Sequence, residues 1–158
     1  MYGLEIGRIL HVLGVIIWIG GVAFVTFVLL PTIKKWKAEE ERIELFEKIE
    51  HRFSLIAKIA SLVTGLSGFY MISKLHGWER FLHISYWWMW AMVLVWLIFT
   101  LLIFVIEPLF MHKKMIEMAK TDPERAFNKL QKMHVHLIWL SLLTIIGAVG
   151  GSRGWLFF

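Results

Sequence analysis

The chain has 158 residues, of which 58% are apolar, and its mean hydropathy of +0.67 exceeds that of an ordinary soluble domain, so lipid is the expected solvent. Its net charge is +5, but the cations are concentrated in two loops, which indicates membrane topology and argues against nucleic-acid binding. The chain has no cysteine, which excludes disulfides, thiolate metal sites and covalently attached haem.

Four stretches are long and apolar enough to cross a bilayer as helices. Residues 9–33, 81–106 and 133–152 contain no Asp, Glu, Lys or Arg, and residues 53–73 contain only Lys58. At about 1.5 Å per residue, each stretch covers about 30 Å of hydrocarbon. We therefore predict an all-α integral membrane four-helix bundle that forms a single transmembrane domain. The predicted spans cover about residues 5–31, 53–74, 84–108 and 132–152.

The basic residues predict the orientation of the chain. One group follows the first span and another follows the third: Lys34, Lys35, Lys37, Arg42, Lys48 and Arg52, then Lys113, Lys114, Lys120, Arg125, Lys129 and Lys132. By the positive-inside rule, both of these loops face the cytoplasm. We therefore expect a multi-pass protein of the plasma (inner) membrane, with both termini and residues 75–85 on the outer side.

The second and fourth helices are expected to begin in the cytoplasm, before their spans enter the lipid. Apolar residues recur at helical spacing over residues 43–53, so the second helix should begin near Ala38. Asp122 precedes Pro123, which is a typical cap and first position for the fourth helix. Pro108 should kink or end the third helix.

Small and polar residues recur at roughly seven-residue spacing and mark the helix faces that should point into the bundle. On the first span they are Gly7, His11, Gly14, Trp18 and Gly21. On the second they are His51, Ser54, Lys58, Ser61, Gly65 and Gly68, and on the fourth His134, Ser141, Thr144, Ala148 and Gly151. Helices in lipid pack through small residues and shared polar contacts, so these faces are expected to meet.

Tryptophans crowd the outer end of the third span, and two charges lie inside the predicted lipid region. Trp78, Trp87, Trp88 and Trp90 are typical of an aromatic belt at the headgroups. Lys58 and Glu107 would each be costly alone in lipid. We expect them to form an ion pair, unless Lys58 extends to the cytoplasmic surface.

His11 is the residue that most directly indicates a function. It lies on the predicted inward face of the first span, within an uncharged apolar run. A polar ring inside a membrane bundle is a functional candidate, and an imidazole nitrogen can bind haem iron or a metal ion. A hydrogen bond to a neighbouring Ser or Thr would also satisfy the ring, so both interpretations stay open.

The sequence L-H-V-L-G-V-I-I-W-I-G-G around His11 resembles the first helix of CopD-like membrane proteins and HemJ-type protoporphyrinogen oxidases. The sequence F-E-K-I-E-H-R-F, leading to T-G-L, is similar to their second block, in which an acidic residue and an arginine precede the helix, as Glu50 and Arg52 do here. The resemblance covers approximately residues 1–70. The HemJ type also has a lysine early in its third helix and an Asn-Glu-x-Pro block, and neither has a counterpart here.

The resemblance implies a bundle that binds haem b with His11 as an axial ligand. Its implied chemistry is electron transfer or porphyrinogen oxidation, with a redox partner or a quinone. A haem needs an apolar slot, axial donors and cations for its propionates. The residues expected to supply these are Gly7 and Gly14 for space, Trp18 for packing on the macrocycle, Arg8 and Arg153 for the propionates, and Met89, Met92 or His83 as a second ligand.

Three alternatives remain beside a single haem. Histidine and methionine also suit Cu(I), so a copper-handling protein is one alternative. A second is a cofactor-free assembly module that docks a partner through its basic cytoplasmic extension, and the chain could also form a homo-oligomer. The third is a second haem between His51 and His134 at the cytoplasmic rim.

Overall fold

The computed structural model describes residues 2–35 and 39–155, apart from the side chains of residues 39, 40, 43, 111 and 112. The described residues are almost entirely helical and form no strand. Four helical stretches are long and apolar enough to cross a membrane: Tyr2–Lys34, Glu44–Lys74, Ile84–Phe110 and Pro123–Ser152. The predicted all-α four-helix bundle is therefore confirmed, and the chain is a multi-pass membrane protein.

The first span is helical throughout but changes its pitch near its end. It consists of α1 (Tyr2–Phe24), a π-helical segment (Val25–Leu29) and α2 (Leu30–Lys34), which has Pro31 in its first turn. Proline lacks an N–H, and its ring collides with the carbonyl four residues earlier. The wider π turn directly before Pro31 removes that collision.

The second span is one long helix, α3 (Glu39–Lys74), which is 36 residues long. Ala38, the predicted start, lies outside the described residues. The helix ends before His76, which has a left-handed backbone with φ of 48°. Two 3₁₀ turns, Gly77–Leu82 and Ile84–Tyr86, then lead into the third span.

The third span also widens at a proline. It begins as α4 (Trp87–Leu101) and continues as a π-helical segment (Leu102–Met111) that contains Pro108. The helix does not end at Pro108 as expected. It widens there and then continues as α5 (His112–Thr121).

The last helix is α6 (Pro123–Ser152). The predicted cap is confirmed, since Asp122 accepts a hydrogen bond of 2.9 Å from the backbone N–H of Arg125. At this end of the bundle Lys34 donates to the side chains of Asn128 and Gln131, which ties α2 to α6. We call this end, where residues 35, 39 and 122 lie, the loop end, and the opposite end, which carries residues 2 and 155, the terminal end.

Helix α1 packs mainly along α3, and α4 packs mainly on α6. One core cluster draws residues from all four long helices: Trp18, Ile19, Val22, Ala60, Val95, Phe99 and Ile138. Within it the rings of Trp18 and Phe99 meet edge to face with centroids 4.9 Å apart. A second cluster lies toward the loop end and includes Leu30 and Phe127.

Several tryptophans of the third span pack against glycines of neighbouring helices. A Cβ atom at Gly65 would lie 2.5 Å from the indole of Trp96, and one at Gly151 would collide with Trp88. Trp88 is buried, because Gly151 leaves a space that its ring fills. Trp90 is exposed, and its indole N–H donates to the carbonyl of Phe81.

The contact between Gly65 and Trp96 gives a first prediction. Gly65→Ala should lower the free energy of unfolding in detergent by about 1–2 kcal/mol, because the added methyl group forces the indole away. Displacement would also disturb the 2.9 Å hydrogen bond from the Trp96 indole to the Ser61 carbonyl. Gly20→Ala is the matched control, since nothing lies within 4 Å of a Cβ there. Equal stability of the two variants would show that Gly65 has no packing role.

Candidate functional site

His11 lies at the interface between α1 and α3 and is half-buried. Its Nδ1 atom is 2.9 Å from the backbone carbonyl oxygen of Thr64 and 3.4 Å from the hydroxyl of Ser67. A carbonyl oxygen can only accept a hydrogen bond, so Nδ1 carries the proton and donates it. In the neutral ring the lone pair is then on Nε2, which faces away from Thr64.

Two features of α3 allow this placement of the imidazole. Gly68 has no side chain, and a Cβ atom there would lie 3.2 Å from Cε1 and 3.3 Å from Nδ1 of His11. The hydroxyls of Thr64 and Ser67 donate to carbonyls of their own helix, so the Thr64 carbonyl is the main polar partner of the ring. Among the described residues Nε2 has no hydrogen-bond partner, and it is not enclosed.

The slot expected beside His11 is not open in this structure, which corrects the expectation for Gly7 and Gly14. A Cβ atom at Gly7 would meet the side chains of Tyr70 and Met71, and one at Gly14 would collide with the hydroxyl of Thr64. These glycines therefore let α1 and α3 approach closely instead of leaving room for a flat ring.

Trp18 lies in the hydrophobic core with 3% of its surface exposed. Its indole nitrogen is enclosed without a hydrogen-bond partner. The indole ring is therefore packed in the core, where it contacts the ring of Phe99.

The other residues expected around the haem are spread over the terminal end. Met89 is buried on α4 and Met92 is half-buried, while His83 is exposed between the two 3₁₀ turns. Arg8 and Arg153 are exposed, as expected for cations near a headgroup region. The described hydrogen bonds of His11 all reach α3, and none joins it to these residues. No group of three His, Asp or Glu among the described residues has the geometry of a metal site.

A cavity of about 150 Å³ lies in the opposite half of the bundle, toward the loop end. Its wall is mostly apolar, but it includes Glu50 of α3, Glu107 of the π-helical segment and His134 of α6. The carboxyl groups of Glu50 and Glu107 lie next to each other on this wall and form what we call the Glu50–Glu107 pair.

Two expectations about this end require correction. Within the described chain no ion pair joins Lys58 to Glu107, whose carboxyl group lies beside that of Glu50, and Lys58 acts on Glu50 through its charge. His51 is exposed, whereas His134 faces the cavity and its Nδ1 atom bonds the Leu130 carbonyl of its own helix. The structure therefore does not bring His51 and His134 together as ligands of a second haem.

The Glu50–Glu107 pair was missed from the sequence, although one signal was present. Glu50 lies four residues before Ser54, so it extends the inward stripe of the second helix by one turn. Comparisons of the chain with protein-family models, with curated proteins and with solved structures found no match. The function must therefore be argued from the two sites themselves.

Proposed function

We propose that this protein binds a b-type haem through Nε2 of His11 and serves in electron transfer within the membrane. The observation that carries the proposal is the hydrogen bond from Nδ1 to the Thr64 carbonyl. Histidines that bind metals almost always donate their other ring N–H to a carbonyl or carboxylate, which fixes the tautomer and raises the basicity of the ligand nitrogen. In this proposal the terminal end lies outside the plasma membrane.

The residues present fit the haem in part. Nε2 of His11 is an oriented nitrogen whose lone pair can bind iron, whereas Gly7 and Gly14 do not leave the expected space for the haem ring. The haem would therefore bind on the side of the imidazole that faces away from Thr64. Arg8, about one turn from His11 toward the terminal end and exposed, would hold a propionate in this proposal. A bound haem supplies one-electron chemistry, while Thr64, Ser67 and Gly68 hold the imidazole in place.

The proposal is tested by the absorption spectrum of the full-length protein purified in mild detergent, reduced minus oxidised, before and after addition of haemin. We expect a Soret band and one haem per chain in a pyridine haemochrome assay. A protein that stays colourless with haemin, yet remains helical by circular dichroism, would contradict the proposal. Stoichiometric copper in such a sample would indicate a soft-metal site instead.

A further inference from the structure

The cavity at the loop end is lined by residues of the first span, α3, the third span, α5 and α6. Four phenylalanines line it, together with aliphatic side chains, methionines and alanines: Phe46, Phe53, Phe99 and Phe127. An apolar cavity of about 150 Å³ is large enough to admit a ring of the size of benzene. The shape and lining of the cavity therefore suit one small apolar ring.

Three polar groups lie close together on the wall. The carboxyl groups of Glu50 and Glu107 are neighbours, and Ser54 is one helical turn from Glu50. The hydroxyl oxygen of Ser54 is fully enclosed and has no hydrogen-bond partner within the described chain. An enclosed hydroxyl without a partner is costly, so its position on the cavity wall points to a ligand that would satisfy it.

The charges that face the pair favour a cation. Glu47, Glu50 and Glu107 line the cavity, and no described lysine or arginine does. Lys58 on α3 is the nearby cation that acts on Glu50, and His134 is the titratable group contributed by α6. The first span and α5 contribute only apolar residues to the wall.

We propose that this cavity binds a small organic cation, a primary ammonium group attached to one apolar ring, with the ammonium group between the carboxyl groups of Glu50 and Glu107. An ammonium group has three N–H donors, and the site offers three acceptor groups, the two carboxyl groups and the Ser54 hydroxyl. The phenylalanines face the ring and can also attract the positive charge.

This inference is independent of the proposed haem. Glu50 lies fourteen residues from Thr64 on the same helix, which separates the two sites by about 21 Å along its axis. The two proposals can therefore fail separately, and the cation site is tested on protein without haem.

The experiment is isothermal titration of the full-length protein in detergent with benzylammonium, and with benzyl alcohol as the neutral molecule of nearly the same shape. We expect benzylammonium to bind at least about tenfold more tightly, because charged hydrogen bonds replace neutral ones.

Variants distinguish binding at this site from non-specific binding to apolar surface. Glu50→Gln and Glu107→Gln should each weaken benzylammonium binding by about tenfold to a hundredfold. Glu117→Gln, at an exposed position on α5 outside the cavity, should bind as the native protein does. Circular dichroism and thermal unfolding show whether each variant is folded. Equally tight binding of benzyl alcohol, or native affinity in folded Glu50→Gln, would each overturn the proposal.

Discussion

His11→Ala is expected to remove the haem absorbance of the purified protein completely while leaving the bundle helical. The imidazole provides the nitrogen that binds iron near the terminal end. Without it, only a backbone carbonyl and a hydroxyl are left at this position, and they are weak ligands that are already hydrogen bonded within α3. His136→Ala is the matched control, because His136 is exposed and its Nδ1 atom bonds the Lys132 carbonyl on its own helix. Haem content and the reduced-minus-oxidised spectrum are measured for both variants.

Gly68→Ala tests the same site without removing the ligand. The added methyl group would lie 3.2 Å from the imidazole, so the ring must shift and the bond from Nδ1 to Thr64 must lengthen. We expect the haem to be retained in smaller amount and with a shifted Soret band, whereas Gly20→Ala leaves the spectrum as it is. An unchanged spectrum in both His11→Ala and Gly68→Ala would place any bound haem elsewhere.

The spans could be predicted from the sequence because they depend on a local property, the length of chain without charge. The cap at Asp122 could also be predicted, since the cap and the N–H that it binds are three residues apart. The π-helical segments were not predicted. Pro108 was expected to mark a helix end or a kink, but a membrane helix keeps its backbone hydrogen bonds inside the chain, so the turn widens and the helix continues there, as it also does before Pro31.

The contacts of the candidate sites were harder to predict because they depend on how neighbouring helices are rotated. The sequence placed His11 on the inward face, but the partner of its ring is a backbone carbonyl, and a carbonyl leaves no pattern in the sequence. Spacing identified Gly7 and Gly14 as small without showing that side chains of α3 fill the space beside them. Glu107 has two chemically reasonable partners, Glu50 and Lys58, and only the relative positions of the helices decide between them.

The charge balance at the loop end leads to a prediction for Lys58. The carboxyl groups of Glu50 and Glu107 lie on the wall of an apolar cavity, and the positive charge of Lys58 acts on Glu50 there. Lys58→Met keeps most of the apolar stem but removes the charge. We expect the free energy of unfolding to fall by about 2–3 kcal/mol, because the remaining negative charge lies in an apolar cavity without compensation. Unfolding by SDS in mixed micelles, followed by tryptophan fluorescence, measures this loss.

The double variant Glu50→Gln with Lys58→Met decides whether charge balance is the cause. It removes one negative and one positive charge, so the balance of charge at the cavity is again that of the native protein. We expect most of the lost stability to return. Lys48→Met is the surface control, since Lys48 pairs with Glu44 at an exposed position and should cost less than about 1 kcal/mol. If the double variant is less stable than Lys58→Met alone, Lys58 stabilises the bundle through the packing of its stem, and the carboxyl pair does not depend on its charge.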